Sequence, residues 1–175
     1  MVVLESDHHL STGSRAIAFA KRTLEIWDRL EVANDVVRKG TSWSLGKVFL
    51  KKTLLYQFNL LPETGHERPA FVNLQQYYCE AFLVERALDL PNIDMRWGNK
   101  VTATAIRDDG VSLTVATPEG DYRIDAEWVV ACDGAHSTVR SLMGLESKGQ
   151  VFKDRFLLAA VTMKTDFPTE RWLWF

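Results

Sequence analysis

Only two cysteines occur in the chain, Cys79 and Cys132, far apart and each in apolar surroundings. Such spacing offers no disulfide framework, and both thiols read as small core residues. No apolar run approaches the roughly 18 residues that a membrane-crossing helix needs. Met1-Val2-Val3-Leu4-Glu5 lacks the basic start and long apolar stretch of a secretion signal, so a cytoplasmic protein is expected. Charge of one sign is also missing. A net charge of −2 gives no electrostatic reason to expect nucleic acid or an anionic membrane as a partner. The ten glycines contain no G-x-G-x-x-G arrangement. Gly40 to Gly46-Lys47 has the wrong spacing for a Walker A loop, with Val48 where the metal-binding hydroxyl belongs. His8-His9 finds no third ligand at useful spacing, so no metal site is expected.

What is present suits a folded domain. A chain of 175 residues, 46% hydrophobic and 25% charged, is long enough to bury a core. Its most informative stretch is Trp128-Val129-Val130-Ala131-Cys132-Asp133-Gly134-Ala135-His136-Ser137-Thr138-Val139-Arg140. Val129 to Cys132 reads as a buried strand, and Val139, Arg140, Leu142 and Met143 follow at helical spacing. An acid at the carboxyl end of a buried strand is where open α/β sheets place ligand-binding groups. An Asp-Gly pair is equally at home in a plain turn.

Val2 to Leu4, followed by Glu5, reads as another short buried strand ending in an acid. In dinucleotide-binding units the second strand ends in an acid that accepts hydrogen bonds from a ribose hydroxyl. His8 to Arg15 forms a loop, and Ala16 to Leu30 reads as an amphipathic helix facing the core through Ile17, Ala20, Leu24, Trp27 and Leu30. Arg15 at the helix entrance can pair with a phosphate or remain a solvated cation.

Farther along, Trp43 to Asn59 predicts a β-hairpin turning at Lys51-Lys52, and Pro62 to Pro69 a surface connection. Asn73 with Gln76 three residues on predicts a capped helix from Leu74, stopped by Pro91. Gln76 thus stands near a helix N-terminus, either as a cap or as a group facing an anion. Ile93 to Trp97, Lys100 to Arg107, Val111 to Thr117 and Tyr122 to Ala126 read as strands, the last three forming an antiparallel meander. Phe156 to Lys164 reads as a strand as well, and the chain closes on the aromatic-rich Trp172 to Phe175.

Leu4-Glu5, Ser11 to Ala16, Arg22 to Leu30, the helix Gln76-x-x-x-Glu80-x-x-Leu83, the meander and the Asp133-Gly134 stretch stand in one order along the chain. In that order they resemble the FAD-dependent aromatic-ring hydroxylases, the group A flavoprotein monooxygenases typified by 4-hydroxybenzoate hydroxylase. The likeness is nearest to the 3-(3-hydroxyphenyl)propionate, phenol and resorcinol hydroxylases. It implies an α/β fold: a Rossmann-like FAD/NAD(P)-binding domain with an antiparallel meander and part of an inserted substrate-binding sheet. Residues 1–42 and 70–150 would belong to the former, 43–69 and 151–175 to the latter.

The resemblance further implies FAD as cofactor, NAD(P)H as co-substrate, O₂ and a small aromatic substrate. Glu5 would bind the adenosine ribose, Arg15 the phosphates and Gln76 the flavin, with adjacent Gln75 leaving the register open by one. Val101 would meet the adenine through its backbone. Asp133 and Gly134, with His136 and Arg140, would serve flavin and NAD(P)H binding. No protein side chain is expected to act as a catalytic group, because the flavin carries the chemistry. The family's first strand and glycine loop would precede Val2 by about 30 residues. Its GD motif and most of the substrate sheet would follow Phe175. The expectation is therefore a fragment that does not hydroxylate by itself. A non-catalytic α/β module and a related flavin-dependent halogenase or reductase remain the alternatives; substrate identity and oligomeric state are left open.

Overall fold

The computed structural model describes residues 1–13, 15–155, 157, 159, 161–162, 164 and 166–175. Strand β1 (Val2–Leu4) comes first, then β2 (Ala18–Ala20), α1 (Lys21–Arg29), α2 (Ala33–Lys39) and β3 (Thr41–Trp43). A hairpin of β4 (Leu45–Leu50) and β5 (Thr53–Asn59) follows, with β6 (Phe71–Asn73) and α3 (Gln76–Leu88) after it. The remaining elements are β7 (Asp94–Arg96), β8 (Lys100–Arg107), β9 (Gly110–Ala116), β10 (Tyr122–Ala126), α4 (Thr138–Leu142) and β11 (Arg171–Trp174). The result is a mixed α/β fold in which four small sheets, β1-β7, β8-β9-β10, β5-β4-β11 and β2-β6-β3, carry most of the pairing.

The chain divides into two compact units. One comprises Met1–His9 and Asn92–Thr162, the other Leu10–Pro91 and Met163–Phe175. In the first, β1 runs parallel to β7, and the meander pairs Lys100 with Ala116 and Tyr122 with Val115. Leu113 and Val115 are its buried apolar side chains, two apart on β9 and hence on one face of the sheet.

In the second unit the core is Leu24, Val36, Val72, Leu74 and Cys79, with Phe19, Trp27, Val37, Tyr78 and Phe82 against it. Each large apolar side chain buried there contributes roughly 1.5–3 kcal/mol. Burial also pushes the Cys79 thiol up to about 11, so it stays protonated and inert at neutral pH. The β4–β5 hairpin turns at Lys51-Lys52, as the sequence predicts, with Lys51 at φ +52°. Opposite Phe58 stands Gly46, and a Cβ there would sit 2.1 Å from the phenyl ring. The ring lies where a side chain would otherwise project, which fixes the cross-strand register. β11 adds in parallel to β4, stacking Trp174 on Phe49 at 5.3 Å.

Several expectations need correction. The segment 16–30 is not one helix: Ala18–Ala20 pairs antiparallel with Phe71–Asn73, and α1 starts at Lys21. Ladder hydrogen bonds and the packing of Phe19 on Trp27 outweigh the helix propensity of the alanines. Leu24 and Trp27 do reach the core, whereas Ile17 and Leu30 are exposed. Asn73 does not cap a helix. It belongs to β6, and its Oδ1 accepts from Trp43 Nε1 at 2.8 Å. Gln75 takes the N-cap position of α3, and Gln76 is the first helical residue. Val129 to Cys132 is not a buried strand either, since no described strand hydrogen-bonds to it. Without a ladder on either edge its backbone gains nothing from burial, and Trp128, Val130 and Cys132 are exposed. β1 forms as expected but is only half-buried. In the expected strand over 156–164, Phe156, Leu158, Ala160 and Met163 lie outside the described residues.

The connection before β6, expected to lie wholly at the surface, is fastened down by Arg68. The residue is 8% exposed, and its guanidinium forks onto the Asp28 carboxylate, with Nε at 2.7 Å, while Nη1 donates to Asn34 Oδ1 at 2.9 Å. One arginine thus ties the chain before β6 to the end of α1 and the start of α2. Removing it strands a carboxylate that is itself partly solvated, so the cost falls below that of a fully buried pair. Arg68→Ala is expected to lower unfolding free energy by roughly 2–3 kcal/mol, read from denaturant midpoints. A loss below about 0.5 kcal/mol would contradict this role.

Candidate functional site

Within the first unit, Asp133, Gly134, His136 and Arg140 share one turn leading into α4. Asp133 Oδ1 accepts from the Ser137 hydroxyl, and its Oδ2 accepts from the Val139 N–H at 3.0 Å. Ser137 Oγ in turn accepts from the Arg140 N–H at 3.0 Å, which makes Ser137 the N-cap of α4. Arg140 Nη2 donates to the Ala135 carbonyl at 2.7 Å and closes the loop from its far side. Gly134 sits at φ +77°, a backbone conformation that costs a side-chain-bearing residue about 1 kcal/mol or more. The Ser137 hydroxyl, with the Val139 N–H, holds the Asp133 carboxyl below the usual carboxylate range. Asp133 is therefore a fixed, ionised anion at neutral pH. His136 lies exposed in the same turn.

The same unit holds Glu5 and Val101. The β1–β7 ladder continues past Leu4: the Glu5 N–H donates to the Arg96 carbonyl at 3.0 Å and the Asn99 N–H to the Glu5 carbonyl at 2.8 Å. Glu5 Oε1 accepts from the Asp7 N–H at 2.8 Å, which sets the carboxylate at the carboxyl end of a parallel strand. In open α/β sheets that edge is the usual ligand position. Val101 lies on β8, against which α4 packs. The β8–β9 register shifts between Val101 and Ala103, an irregularity that frees backbone groups from the ladder.

Arg15 and Gln76 belong to the second unit. Arg15 is exposed on the loop before β2. The Gln76 backbone N–H donates to the Ala16 carbonyl at 3.1 Å, and its side-chain Oε1 accepts from the Ala16 N–H at 3.1 Å. Its Nε2 donates to Glu80 Oε1 at 2.6 Å. An amide has two N–H donors and two lone pairs, and among the described residues these bonds use one of each. Gln75, the alternative in register, supplies the N-cap backbone.

No periodicity announces a hollow of about 460 Å³, also in the second unit, walled by Ile17, Thr41, Trp43, Asn73, Arg171 and Trp172. A neighbouring hollow of about 390 Å³ shares Trp43, Thr169 and Glu170 with it. Glu170 accepts from Lys47 Nζ at 3.0 Å and from Trp172 Nε1 at 2.8 Å. Lys47 first, and then Trp172, holds its carboxyl below the ordinary range. The Trp43 ring in this wall is stacked on Phe71 at 4.9 Å, with the Arg171 guanidinium 5.9 Å from its centroid. These side chains are brought together by the β11–β4 and β3–β6 pairings, which join segments distant in sequence.

Among the described residues no helix is long and apolar enough to cross a membrane, and no His, Cys, Asp or Glu side chains converge as metal ligands.

Comparison with known proteins places the chain in a family. The chain is 27% identical over 174 residues to para-nitrophenol 4-monooxygenase from Pseudomonas sp. (strain WBC-3), covering 95% of the chain and 41% of that protein. It is 30% identical over 174 residues to the "Probable NADH-specific resorcinol 4-hydroxylase" of Rhodococcus jostii (strain RHA1), covering 96% of the chain and 32% of that protein. The crystal structure of p-nitrophenol 4-monooxygenase from Pseudomonas putida DLL-E4 superposes with a TM-score of 0.78 at 30% identity, over 86% of this chain and 39% of that one. The chain thus spans well under half the length of these relatives. All of it, residues 1–175, matches the FAD binding domain family, and the chain is a member of that family, related to the aromatic-hydroxylase flavoprotein monooxygenases.

Proposed function

We propose that this chain supplies the FAD-holding part of an NAD(P)H-dependent flavoprotein monooxygenase that hydroxylates a small phenolic or aromatic substrate with O₂. The observation that carries the reading is the Asp133 turn, where an anion is fixed by Ser137 and Val139 beside a glycine at positive φ. Bound FAD would supply electron transfer from NAD(P)H and the activation of O₂.

In this reading each unit carries its own share of cofactor contacts. Glu5 accepts from the adenosine ribose, and the backbone beside Val101 meets the adenine. Asp133, Gly134, His136 and Arg140 serve flavin and NAD(P)H binding, with Asp133 and Arg140 keeping the turn in shape. Arg15 pairs with the phosphates through its planar fork, and Gln76 offers its remaining N–H to the flavin. Residues 1–42 and 70–150 form the FAD-binding part, and 43–69 with 151–175 the substrate sheet. The joining of β4 and β5 to β11 in one sheet supports that grouping. Trp43 and Trp172 are then candidates to face an aromatic ring. Because the relatives are longer by more than twofold in matched share, turnover is assigned to the whole protein and cofactor binding to this span.

The direct test is optical. FAD added to the purified protein should give a bound-flavin spectrum between about 350 and 500 nm, bleached by NAD(P)H. A folded chain that leaves added FAD free would favour a non-catalytic module. Flavin reduction without hydroxylation of any phenol by the whole protein would favour a reductase.

Asp133 permits a finer separation. Asp133→Asn keeps an acceptor for the turn and removes the charge. It is expected to slow flavin reduction by NAD(P)H about tenfold or more while costing less than about 1 kcal/mol of stability. An unchanged reduction rate would leave Asp133 as a turn residue alone. Its folded carboxyl lies below its ordinary value of 3.8, so its contribution to stability is complete above that pH and disappears as pH falls through the lower folded value. Melting curves of wild type and Asp133→Ala should therefore converge in acid. A gap that persisted in acid strong enough to protonate the carboxyl in both states would place the effect elsewhere than in the charge.

A further inference from the structure

Resting on the reading that Arg15 meets the FAD phosphates, we propose that Glu80 is a positioning residue that clamps the Arg15 loop onto one face of α3. The loop from Ser11 to Ala16 is pinned at both ends. At its start, Glu80 Oε2 accepts from the Ser11 N–H at 3.3 Å and from the Ser11 hydroxyl. At its end, the Gln76 side chain and backbone exchange two hydrogen bonds with Ala16, each at 3.1 Å. Gln76 and Glu80, four residues apart and therefore stacked on one helix face, are joined by the Nε2–Oε1 bond of 2.6 Å.

A carboxylate is the group this position needs. Its three partners, the Ser11 N–H, the Ser11 hydroxyl and the Gln76 amide, all donate, and only an acceptor on both oxygens satisfies them together. A glutamine would turn one NH₂ against a donor. Glu80 is partly buried, and although burial raises its pKa, the hydrogen bonds from Ser11 and Gln76 prevail and hold it below the ordinary value. It is ionised at neutral pH and its charge favours Arg15 nearby.

Between the pinned ends stand Gly13 and the exposed Arg15. Gly13 takes φ +90° with nothing within 4 Å of where a Cβ would stand. Arg15 is one residue inside the clamped end. A cation on an unpinned loop must lose backbone freedom on every binding event. With Ala16 and Ser11 already held, that cost is met by the fold.

The test is a double-mutant cycle in the protein, titrated with FAD and separately with ADP, which carries the diphosphate without the flavin. Glu80→Gln should weaken both ligands about tenfold, and Arg15→Ala should do likewise. The double variant should bind no more than about twofold worse than Arg15→Ala alone, because Glu80 acts through Arg15. Amide exchange at Ala16 should quicken at least about tenfold in Glu80→Gln, without any ligand present. Ser11→Ala, which removes one donor and leaves the carboxylate, should give the same pattern at smaller size.

Wild-type FAD affinity in both Glu80→Gln and Ser11→Ala, beside a weakened Arg15→Ala, would overturn the clamp and leave the function intact. So would losses that multiply in the double variant. Unchanged FAD and ADP binding in Arg15→Ala would overturn the phosphate reading, and the clamp's role in cofactor binding with it.

Discussion

Several loop N–H groups in this chain find their partners on side-chain oxygens, and Glu5, Arg15, Gln76 and Asp133 of the proposed cofactor residues lie at or beside backbone held this way. Where no ladder runs, a nearby side chain can pair a backbone donor and fix the local turn. Glu5 takes the Asp7 N–H, Gln76 takes the Ala16 N–H, Glu80 takes the Ser11 N–H and Asp133 takes the Val139 N–H. Three of the four acceptors are carboxylates. Each fixes a turn and, in the same act, places a negative charge whose hydrogen-bonding capacity is only partly used. An ionised carboxylate offers about four lone-pair sites, so a turn can be held and a ligand hydroxyl still met.

This economy explains why structural and functional readings of the same residue do not compete. Asp133 organises α4 and stays ionised because of the bonds that do so. Gln76 ties α3 to the strand entering β2. The helices and sheets behind these turns supply rigidity: the core around Leu24, Val36 and Val72 backs the loop of Arg15, and the meander backs Val101. Arg68 performs a purely structural version of the same task, satisfying Asp28 and Asn34 where the chain crosses two helices.

Short-range features were readable from the sequence. The β4–β5 turn, the bounds of β8 and β10 and the helix after Asp133 follow from alternation, from Asp-Gly and from Lys-Lys at a tight turn. What escaped depends on partners far away in the chain. Ala18–Ala20 is a strand because residues 71–73 lie beside it, and nothing local distinguishes it from the first turn of a helix. Asn73 looks like a cap until the Trp43 indole claims its side chain. Val129 to Cys132 carries a buried-strand pattern but has no ladder among the described residues, which leaves its apolar side chains exposed. Glu80 matched a family pattern without revealing its function as an anchor for Ser11, a contact across 69 positions. The hollow beside Trp43 and Trp172 likewise arises from strand pairings that no periodicity encodes.

The central claim is that side-chain-anchored turns in this chain form the FAD-binding surface. Backbone amide chemical shifts recorded during an FAD titration test it most directly, because the anchored N–H groups are themselves the reporters. The account predicts that the resonances of Asp7, Ala16, Val101 and Gly134 to Arg140 move with one common saturation, while the hairpin tip at Lys51 and Lys52 stays in place. Shifts confined to the hairpin, or none at saturating FAD, would contradict it.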